Sequence, residues 1–274
     1  NDPIYGFIKI PDGLIFSIIE HPYFQRLRRI RQLGLTDYAY PGAIHTRFHH
    51  ALGAMHLMDQ ALMTLRTKGV EISDQEYESS MIAVILHDVG HGPFSHALEH
   101  SLLSGISHEQ VSGLVISLFD EIFDNRLELA LKIFNHQYDR PFLSQLVSSQ
   151  LDVDRLDYLN RDSFFTGVSE GKIGFERILK MLNVVDEQIV VEEKAIYSIE
   201  NFLSSRRLMY WQVYLHKTTV GAEKLLIQLI RRAKYLAKAG QLKTRNDSLR
   251  LFLESDFGLS DFREDPALLH AYLA

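Results

Sequence analysis

The amino-acid sequence predicts a mainly α-helical protein with small β-hairpins. Over most of the 274 residues, apolar side chains recur every three or four positions, which is the period of a helix with one buried face. Strand-like patterns are short and occur only near the N-terminus and around residues 189–198. These two observations indicate a helical bundle with minor β structure.

The helices are predicted from this periodicity and from residues that begin or end a helix. Ser107 followed three residues later by Gln110 is a capping-box pattern, and Gly34 and Gly69 end periodic stretches. The tail after Gly240 is polar and carries a weaker pattern. The predicted helices cover approximately residues 18–33, 46–68, 73–88, 107–119, 125–135, 141–149, 152–161, 174–182 and 199–239.

Each hairpin is predicted from two strand-like segments with a connection between them. Near the N-terminus, residues 7–10 and 14–16 flank a Pro11-Asp12-Gly13 turn. Farther along, residues 189–191 and 195–198 are expected to pair. We expect residues 1–182 to form the core, and residues 183–274 to form an extension of a hairpin and a long helix that packs on it.

Composition narrows the possible functions. The chain has no cysteine, so a metal ion would be held by His, Asp or Glu, and the composition fits a reducing cytoplasm, which is the location we expect. No apolar run approaches the roughly 18 residues of a membrane span, so we expect no membrane association. The net charge of -6 argues against nucleic acid as a partner.

Histidines are concentrated in one part of the chain, with nine of the 13 between His45 and His108. Within that part, His87-Asp88 ends an apolar helix and precedes a glycine-rich segment that contains His91. Buried polar side chains need partners, which here are either hydrogen-bonding groups or a divalent cation. The additional histidines favour the cation.

Further candidates lie on other predicted helices. Of the adjacent His49 and His50, only one can face a given ion, because neighbouring helical residues diverge by about 100°. On a later helix, Asp154 lies beside an arginine, which suits the binding of a metal and a phosphate, although a solvated charged face is the alternative. His108, in the first turn of its helix, is suited to proton transfer as a neutral imidazole, or is a plain surface residue.

The spacing of these residues resembles the H…HD…D metal signature of the HD superfamily. Residues 40–50 (YPGAIHTRFHH), 87–96 (HDVGHGPFSH), 152–158 (DVDRLDY) and 214–217 (YLHK) are similar to one branch, the deoxynucleoside triphosphate triphosphohydrolases. That branch includes the mammalian SAM-and-HD-domain enzyme and relatives without the SAM domain. The likeness extends over roughly residues 1–220 and implies an HD-domain helical bundle.

The resemblance implies a catalytic metal centre and an acid-base cluster. The metal would be Fe, Mn, Ni, Zn or Mg, since the ligands supply only nitrogen and oxygen. The implied metal ligands are His50, His87, Asp88 and Asp154. The implied catalytic residues are His91, Glu99 and His108.

The resemblance also implies how a deoxynucleoside triphosphate (dNTP) would bind. The residues at phosphate-contacting positions are Arg47, His96, Arg155 and Arg206. The residues at sugar-contacting positions are Gln32, Leu33, Tyr158, Asp162 and Tyr214. These assignments come from matching positions and not from periodicity, which by itself would make Leu33 a core residue.

Regulation and assembly are implied in the same way. Asn1, Glu20, Gln25 and Arg28 fall at a regulatory nucleotide site shared between subunits, which predicts GTP or dGTP as an effector. The helix around residues 210–237 corresponds to a dimerisation or tetramerisation core, which predicts a homodimer or homotetramer.

The activity expected from the resemblance is metal-dependent hydrolysis of dNTPs to a deoxynucleoside and triphosphate. Two alternatives remain open. One is an HD phosphomonoesterase or another nucleotide phosphohydrolase, which would keep the metal centre without the sugar contacts. The other is a nucleotide-sensing or nucleic-acid-binding protein built on the same scaffold.

Overall fold

Helices dominate the computed structural model, which describes residues 1–94, 98–99, 101–103, 105–242 and 244–273. The predicted mainly α-helical fold class is confirmed, and the sheet in the described residues has two short strands. The elements are α1 (Leu14–Glu20), α2 (Pro22–Gln25), α3 (Arg47–Thr67), α4 (Asp74–Leu86), α5 (His108–Ile122), α6 (Glu128–Phe134), α7 (Pro141–Val147), α8 (Val153–Thr166), α9 (Phe175–Lys180), β1 (Leu182–Val185), β2 (Gln188–Val191), α10 (Ile196–Met209), α11 (Lys217–Lys238), α12 (Asp247–Glu254), α13 (Leu259–Glu264) and α14 (Pro266–Leu273).

The hairpin predicted near the N-terminus is wrong. Residues 7–10 form no strand, and the segment predicted as the second strand begins α1. Phe7 is 88% exposed, whereas Ile8 and Ile10 pack against the core without pairing to a second strand. Leu14, Ile15, Ile18 and Ile19 are all buried, which is helical spacing and overrides the short strand-like pattern.

The second hairpin exists, but with a different pair of strands. Residues 189–191 pair antiparallel with β1, which precedes them, and residues 196–198 belong to α10. Asp186 and Glu187 both have positive φ, as a two-residue type I′ connection requires. The segment that was expected to be the second strand is instead helical, because Phe202, Ser205 and Met209 continue a buried helical face from Ala195.

The long helix predicted at residues 199–239 is also wrong, because it is two helices separated by a π-helical turn at Tyr210–Tyr214. The His216 side chain accepts a hydrogen bond from Thr218 N, 3.3 Å away, and so begins α11. The polar tail forms α12 to α14, which bury Phe252, Phe262 and Leu268. Among the described residues, no helix is both long enough and apolar enough to cross a membrane.

The central part of the fold is α3, which contacts both α4 and α8. Residues 81–86 at the end of α4 are all buried, so the following His87-Asp88 emerges inside the protein and not at its surface. Asp152 caps α8 by accepting a hydrogen bond from Arg155 N, at 2.7 Å. The first turn of α8, which carries Asp154, therefore lies opposite α3 and the end of α4.

Candidate active site

Three predicted metal ligands converge between α3, α4 and α8. His50 Nε2 lies 3.1 Å from Asp154 Oδ1 and 3.4 Å from His87 Nε2, and His87 Nε2 lies 3.5 Å from Asp154 Oδ1. Each residue offers one ligand atom, and these atoms all lie within 4.8 Å of one another. Such a group can hold a divalent cation.

Hydrogen bonds at Nδ1 orient the rings of His50 and His87 so that Nε2 of each points towards the centre of this group. His50 Nδ1 lies 2.7 Å from Asp157 Oδ2, and His87 Nδ1 lies 2.5 Å from the carbonyl oxygen of Val84. Since both acceptors bind Nδ1–H, Nε2 is the atom of each ring that faces the group and can ligate a metal ion. The donor set therefore fits a divalent cation.

Electrostatics at the centre also favour a cation. Burial opposes a charge on His50, but hydrogen bonds to Asp154 and Asp157 outweigh this effect and raise the pKa of His50 to about 10. Although burial acts in the opposite direction, hydrogen bonds to His50 and His87 hold the pKa of Asp154 well below its ordinary value. The carboxylates thus make the centre strongly attractive to positive charge.

His49 faces away from the centre. Its Nδ1 lies 3.1 Å from Thr46 N and 3.0 Å from Thr46 Oγ1, so the side chain belongs to the cap of α3. His50, one residue later, is completely buried. The local structure therefore distinguishes the two adjacent histidines, which periodicity alone left open.

Asp157, Arg161 and Asp2 form a buried chain of ion pairs on the Nδ1 side of His50. The sequence analysis missed this ionic chain. Asp157 accepts two hydrogen bonds from Arg161, each 2.9 Å long, and Arg161 also donates to Asp2 at 2.8 Å. A Cβ on Gly53 would lie 2.0 Å from Asp157 Oδ1, so this position of α3 excludes any side chain. The i, i+4 spacing of Asp157 and Arg161 was the available sequence signal.

Asp88, the fourth predicted ligand, lies beside the three but has protein partners of its own. Its Oδ1 is 3.5 Å from His87 Nε2, while its Oδ2 accepts a hydrogen bond from Arg47 at 2.5 Å. His91 Nε2 lies 3.2 Å from Asp88 Oδ1. Asp88 thus connects the candidate metal centre to an arginine and to the predicted acid-base cluster.

The three predicted catalytic residues lie together. The rings of His91 and His108 stack with their centroids 3.8 Å apart, and His108 Nδ1 lies 3.2 Å from Glu99 Oε2. Burial, and then the charge of Arg47, hold the pKa of His91 well below its ordinary value, so this imidazole is neutral. The Glu99 carboxylate also accepts from His108 N at 3.1 Å, which fixes the start of α5.

A cavity of about 440 Å³ opens onto Asp88 and Asp154 of the candidate metal centre, a size within the range of small-molecule sites. It contains residues from nearly every predicted group: metal ligands, catalytic residues, phosphate contacts and sugar contacts. The predicted residues that line it are Gln32, Leu33, Arg47, Asp88, His91, His108, Asp154, Arg155, Tyr158, Asp162, Arg206 and Tyr214.

The predicted sugar contacts are held by buried hydrogen bonds. Tyr214 donates to Asp162 Oδ2 at 2.8 Å, and His45 Nε2 lies 2.7 Å from Asp162 Oδ1. The ring of Tyr158 meets the ring of Tyr214 edge to face, with centroids 6.2 Å apart. His45 is a supporting residue that the sequence analysis did not single out.

The structure describes three of the four residues predicted to contact phosphate. Arg47 and Arg206 line the cavity, and Arg155 does so from the first turn of α8, where it forms an ion pair with Asp152. His96 lies outside the described residues. The described arginines thus give the cavity a cationic wall close to the metal centre.

The four predicted regulatory residues are only partly brought together. Gln25 Nε2 donates to the carbonyl oxygen of Ile19 at 2.7 Å, and Arg28 donates to Gln25 Oε1 at 2.7 Å. No hydrogen bond or ion pair joins Asn1 or Glu20 to this pair in the part of the chain that the structure describes. The effector site stays a prediction.

The segment that follows α4 is held in place by residues from both ends of the chain. Arg26 donates to the carbonyl oxygens of His91 and Val89 at 2.7 and 2.8 Å, and Tyr272 donates to that of Gly90 at 3.1 Å. No sequence pattern indicates this role for Tyr272, because the role depends on the packing of α14. These bonds fix the backbone that carries Asp88 and His91.

Comparisons with known proteins agree with this architecture. The HD domain model matches residues 47–162, which include the three clustered metal-ligand candidates, and the HD associated region model matches residues 173–251. The crystal structure of a phosphohydrolase from Bacteroides thetaiotaomicron has a TM-score of 0.97 and 52% identity, covering 100% of this chain and 68% of that chain.

Curated relatives extend the likeness. The uncharacterized protein YwfO of Bacillus subtilis is 36% identical, over 89% of this chain and 58% of its own length. The deoxynucleoside triphosphate triphosphohydrolase SAMHD1 homolog of Dictyostelium discoideum is 30% identical, over 92% of this chain and 52% of its own length. The chain spans a little over half the length of these two relatives. Its sequence similarity, its fold and the geometry of its candidate metal ligands all indicate the same family. The chain belongs to the HD-domain phosphohydrolase family.

Proposed function

We propose that the protein hydrolyses dNTPs to a deoxynucleoside and triphosphate in a reaction that depends on a divalent metal ion. One observation carries the proposal. A single cavity is lined by Asp154 of the candidate metal group, by a wall of arginines and by the Tyr158–Tyr214–Asp162 group, and Asp154 lies within 4.8 Å of the ligand atoms of His50 and His87. The names of the relatives from Dictyostelium discoideum and Bos taurus, both dNTP triphosphohydrolases, support the same activity.

The metal ion is proposed to be held by His50, His87 and Asp154, with Asp88 as the fourth ligand. When bound, a divalent cation would lower the pKa of water at the site and offset phosphate charge. Asp157 and Val84 would keep the two histidine rings oriented through their Nδ1 atoms. The nitrogen and oxygen donors fit Fe, Mn, Ni, Zn or Mg.

The chain's own residues are proposed to position the triphosphate and move one proton. Arg47, Arg155 and Arg206 bind phosphate oxygens and neutralise their charge. Water adds to the α-phosphorus and gives up one proton, the bond to the 5′ oxygen breaks, and that oxygen takes a proton from His108, which the proton released by water replaces. Glu99 holds His108 through Nδ1, so Nε2 is the nitrogen that delivers the proton. His91, stacked on His108, completes the cluster.

Selection of a deoxyribose is proposed to come from the group around Tyr158. The Tyr158 and Leu33 side chains form a wall that leaves a 2′-hydroxyl without space or partner, which costs about 1–3 kcal/mol. Asp162 and Tyr214 are held together at 2.8 Å, and with Gln32 they bind the 3′-hydroxyl against that wall.

A panel of four dNTPs and four NTPs, each incubated with Mn²⁺ or Mg²⁺, tests the proposal. We expect dNTPs to be consumed much faster than NTPs, with triphosphate as the phosphorus-containing product. Release of orthophosphate would favour the phosphomonoesterase or general nucleotide phosphohydrolase alternative. Nucleotide binding without turnover would favour the nucleotide-sensing scaffold.

We also propose that the protein is a homodimer or homotetramer that responds to GTP or dGTP. Trp211, Leu225 and Leu229 are each more than 60% exposed on the π-helical turn and α11, which supports a subunit interface there. Light scattering measures the assembly, and a Trp211→Asp, Leu225→Asp variant should be smaller than the wild type. Activity insensitive to GTP and dGTP, and equal in Arg28→Ala, would contradict the effector proposal.

A further inference from the structure

One wall of the cavity carries polar groups that belong to none of the proposed metal, phosphate or sugar contacts. Thr219 and Glu223 lie one turn apart on the same face of α11, and both line the cavity. This face lies over the segment after Leu33, because a Cβ on Gly34 would be 3.9 Å from Glu223 Oε1. The two residues therefore line the cavity next to the proposed sugar contacts.

The polar atoms on this wall have no protein partners in the part of the chain that the structure describes. The Thr219 side chain is buried, yet its Oγ1 makes no hydrogen bond, and neither does the buried Oε1 of Gln32, a proposed sugar contact that lines the same cavity. No hydrogen bond or ion pair engages the Glu223 carboxylate among the described residues. Buried polar atoms without partners are costly, so a ligand with hydrogen-bond donors would stabilise them.

The spacing of residues along α8 indicates that the wall of Thr219 and Glu223 lies away from the candidate metal centre. Asp154 and Asp162 are eight residues apart on one helix, which corresponds to about 12 Å along its axis. Tyr214, bonded to Asp162, lies just before α11, and Thr219 and Glu223 follow. A nucleotide with its phosphates at Asp154 and its sugar at Asp162 therefore extends its base towards Glu223.

We propose that Glu223 and Thr219 read the base of the nucleotide and favour guanine over thymine, an assignment that rests on the proposed dNTP hydrolysis. Guanine presents N1–H and the exocyclic N2–H as adjacent donors, which match the two oxygens of a carboxylate. Thymine presents one N–H between two carbonyl oxygens, and these repel a carboxylate. Burial raises the pKa of Glu223, with Lys224 acting in the opposite direction, so a pair of donors also relieves the cost of its charge.

Competition between dGTP and dTTP in one reaction mixture tests this inference. Both substrates then meet the same assembly and the same effector state, so the ratio of initial rates at equal concentrations equals the ratio of their kcat/KM values. Glu223→Gln should lower the dGTP:dTTP ratio about tenfold, the effect of losing one charge-assisted hydrogen bond. Thr219→Val, which keeps the side-chain shape, should lower the ratio about threefold.

Glu200→Gln is the matched control, because Glu200 is exposed on α10 and does not line the cavity. It should leave the ratio unchanged. Equal ratios in the wild type, Glu223→Gln and Thr219→Val would overturn base reading while leaving dNTP hydrolysis intact. If Glu223→Gln fails to fold, the Thr219→Val ratio decides alone. If the wild type consumes neither substrate, the proposed function fails and this inference fails with it.

Discussion

The metal end of the cavity, at Asp88 and Asp154, and the proposed base end, at Thr219 and Glu223, differ in how their polar groups are partnered. At the metal end, His50, His87 and Asp88 are each held by another protein group before any ligand arrives. At the base end, Thr219 Oγ1 lacks a hydrogen bond and the Glu223 carboxylate lacks one too, within the described residues. A prearranged end suits chemistry common to all substrates, whereas unpartnered groups suit discrimination among them.

The largest effect should come from removing a metal ligand. His50→Ala removes one of three converging donors, so we expect loss of the bound metal and a fall in turnover of about 10³-fold or more. Elemental analysis and turnover by the purified protein measure both quantities.

His49→Ala is the control for this change, because His49 caps α3 and faces away from the centre. It should lose about 1 kcal/mol of stability while keeping the metal and most activity. A metal-free His49→Ala together with a fully loaded His50→Ala would show that the wrong histidine has been assigned.

The ionic chain behind His50 should have the next largest effect. Asp157→Asn weakens the hydrogen bond that orients His50 and leaves the Arg161 charge less well compensated. Metal affinity should fall about 10–100-fold, as expected when such a supporting carboxylate is lost. Competition with a chelator measures the affinity. Asp74→Asn, at an exposed position of α4, is the matched control, and equal affinities in the two variants would remove the role assigned to Asp157.

Sugar discrimination should show a smaller effect. Tyr158→Ala opens the wall beside the proposed 2′ position, so the ratio of kcat/KM for dATP over ATP should fall about tenfold. Tyr158→Phe keeps the ring and should keep most of the discrimination. If dATP and ATP already react equally in the wild type, the protein is a general nucleotide phosphohydrolase.

The smallest effect should come from the contact between α14 and the segment after α4. Tyr272→Phe removes the hydrogen bond to Gly90 O, which should lower the free energy of unfolding by about 1 kcal/mol and the turnover by no more than about threefold. Tyr197→Phe, at a residue that is 80% exposed, is the control. Thermal unfolding indistinguishable from the wild type would contradict a clamping role for Tyr272.

Residues within a recognisable motif could be predicted from the sequence, whereas features that depend on tertiary packing could not. His50, His87 and Asp154 were predictable because the chain resembles the H…HD…D metal signature, whereas helical periodicity alone left the choice between His49 and His50 open. The hairpin partner of residues 189–191 and the break at Tyr210–Tyr214 were not, since both depend on tertiary packing. The contacts of Arg161 with Asp2 and of Tyr272 with Gly90 were not predictable either, because the partners lie 159 and 182 residues apart along the chain.

The position of bond cleavage tests the central claim most directly. Hydrolysis of dGTP in H₂¹⁸O, followed by mass spectrometry of the products, identifies the phosphorus atom that water attacks. Attack at the α-phosphorus predicts ¹⁸O in the triphosphate and none in deoxyguanosine. Label in orthophosphate, accompanied by dGDP, would contradict triphosphohydrolase activity.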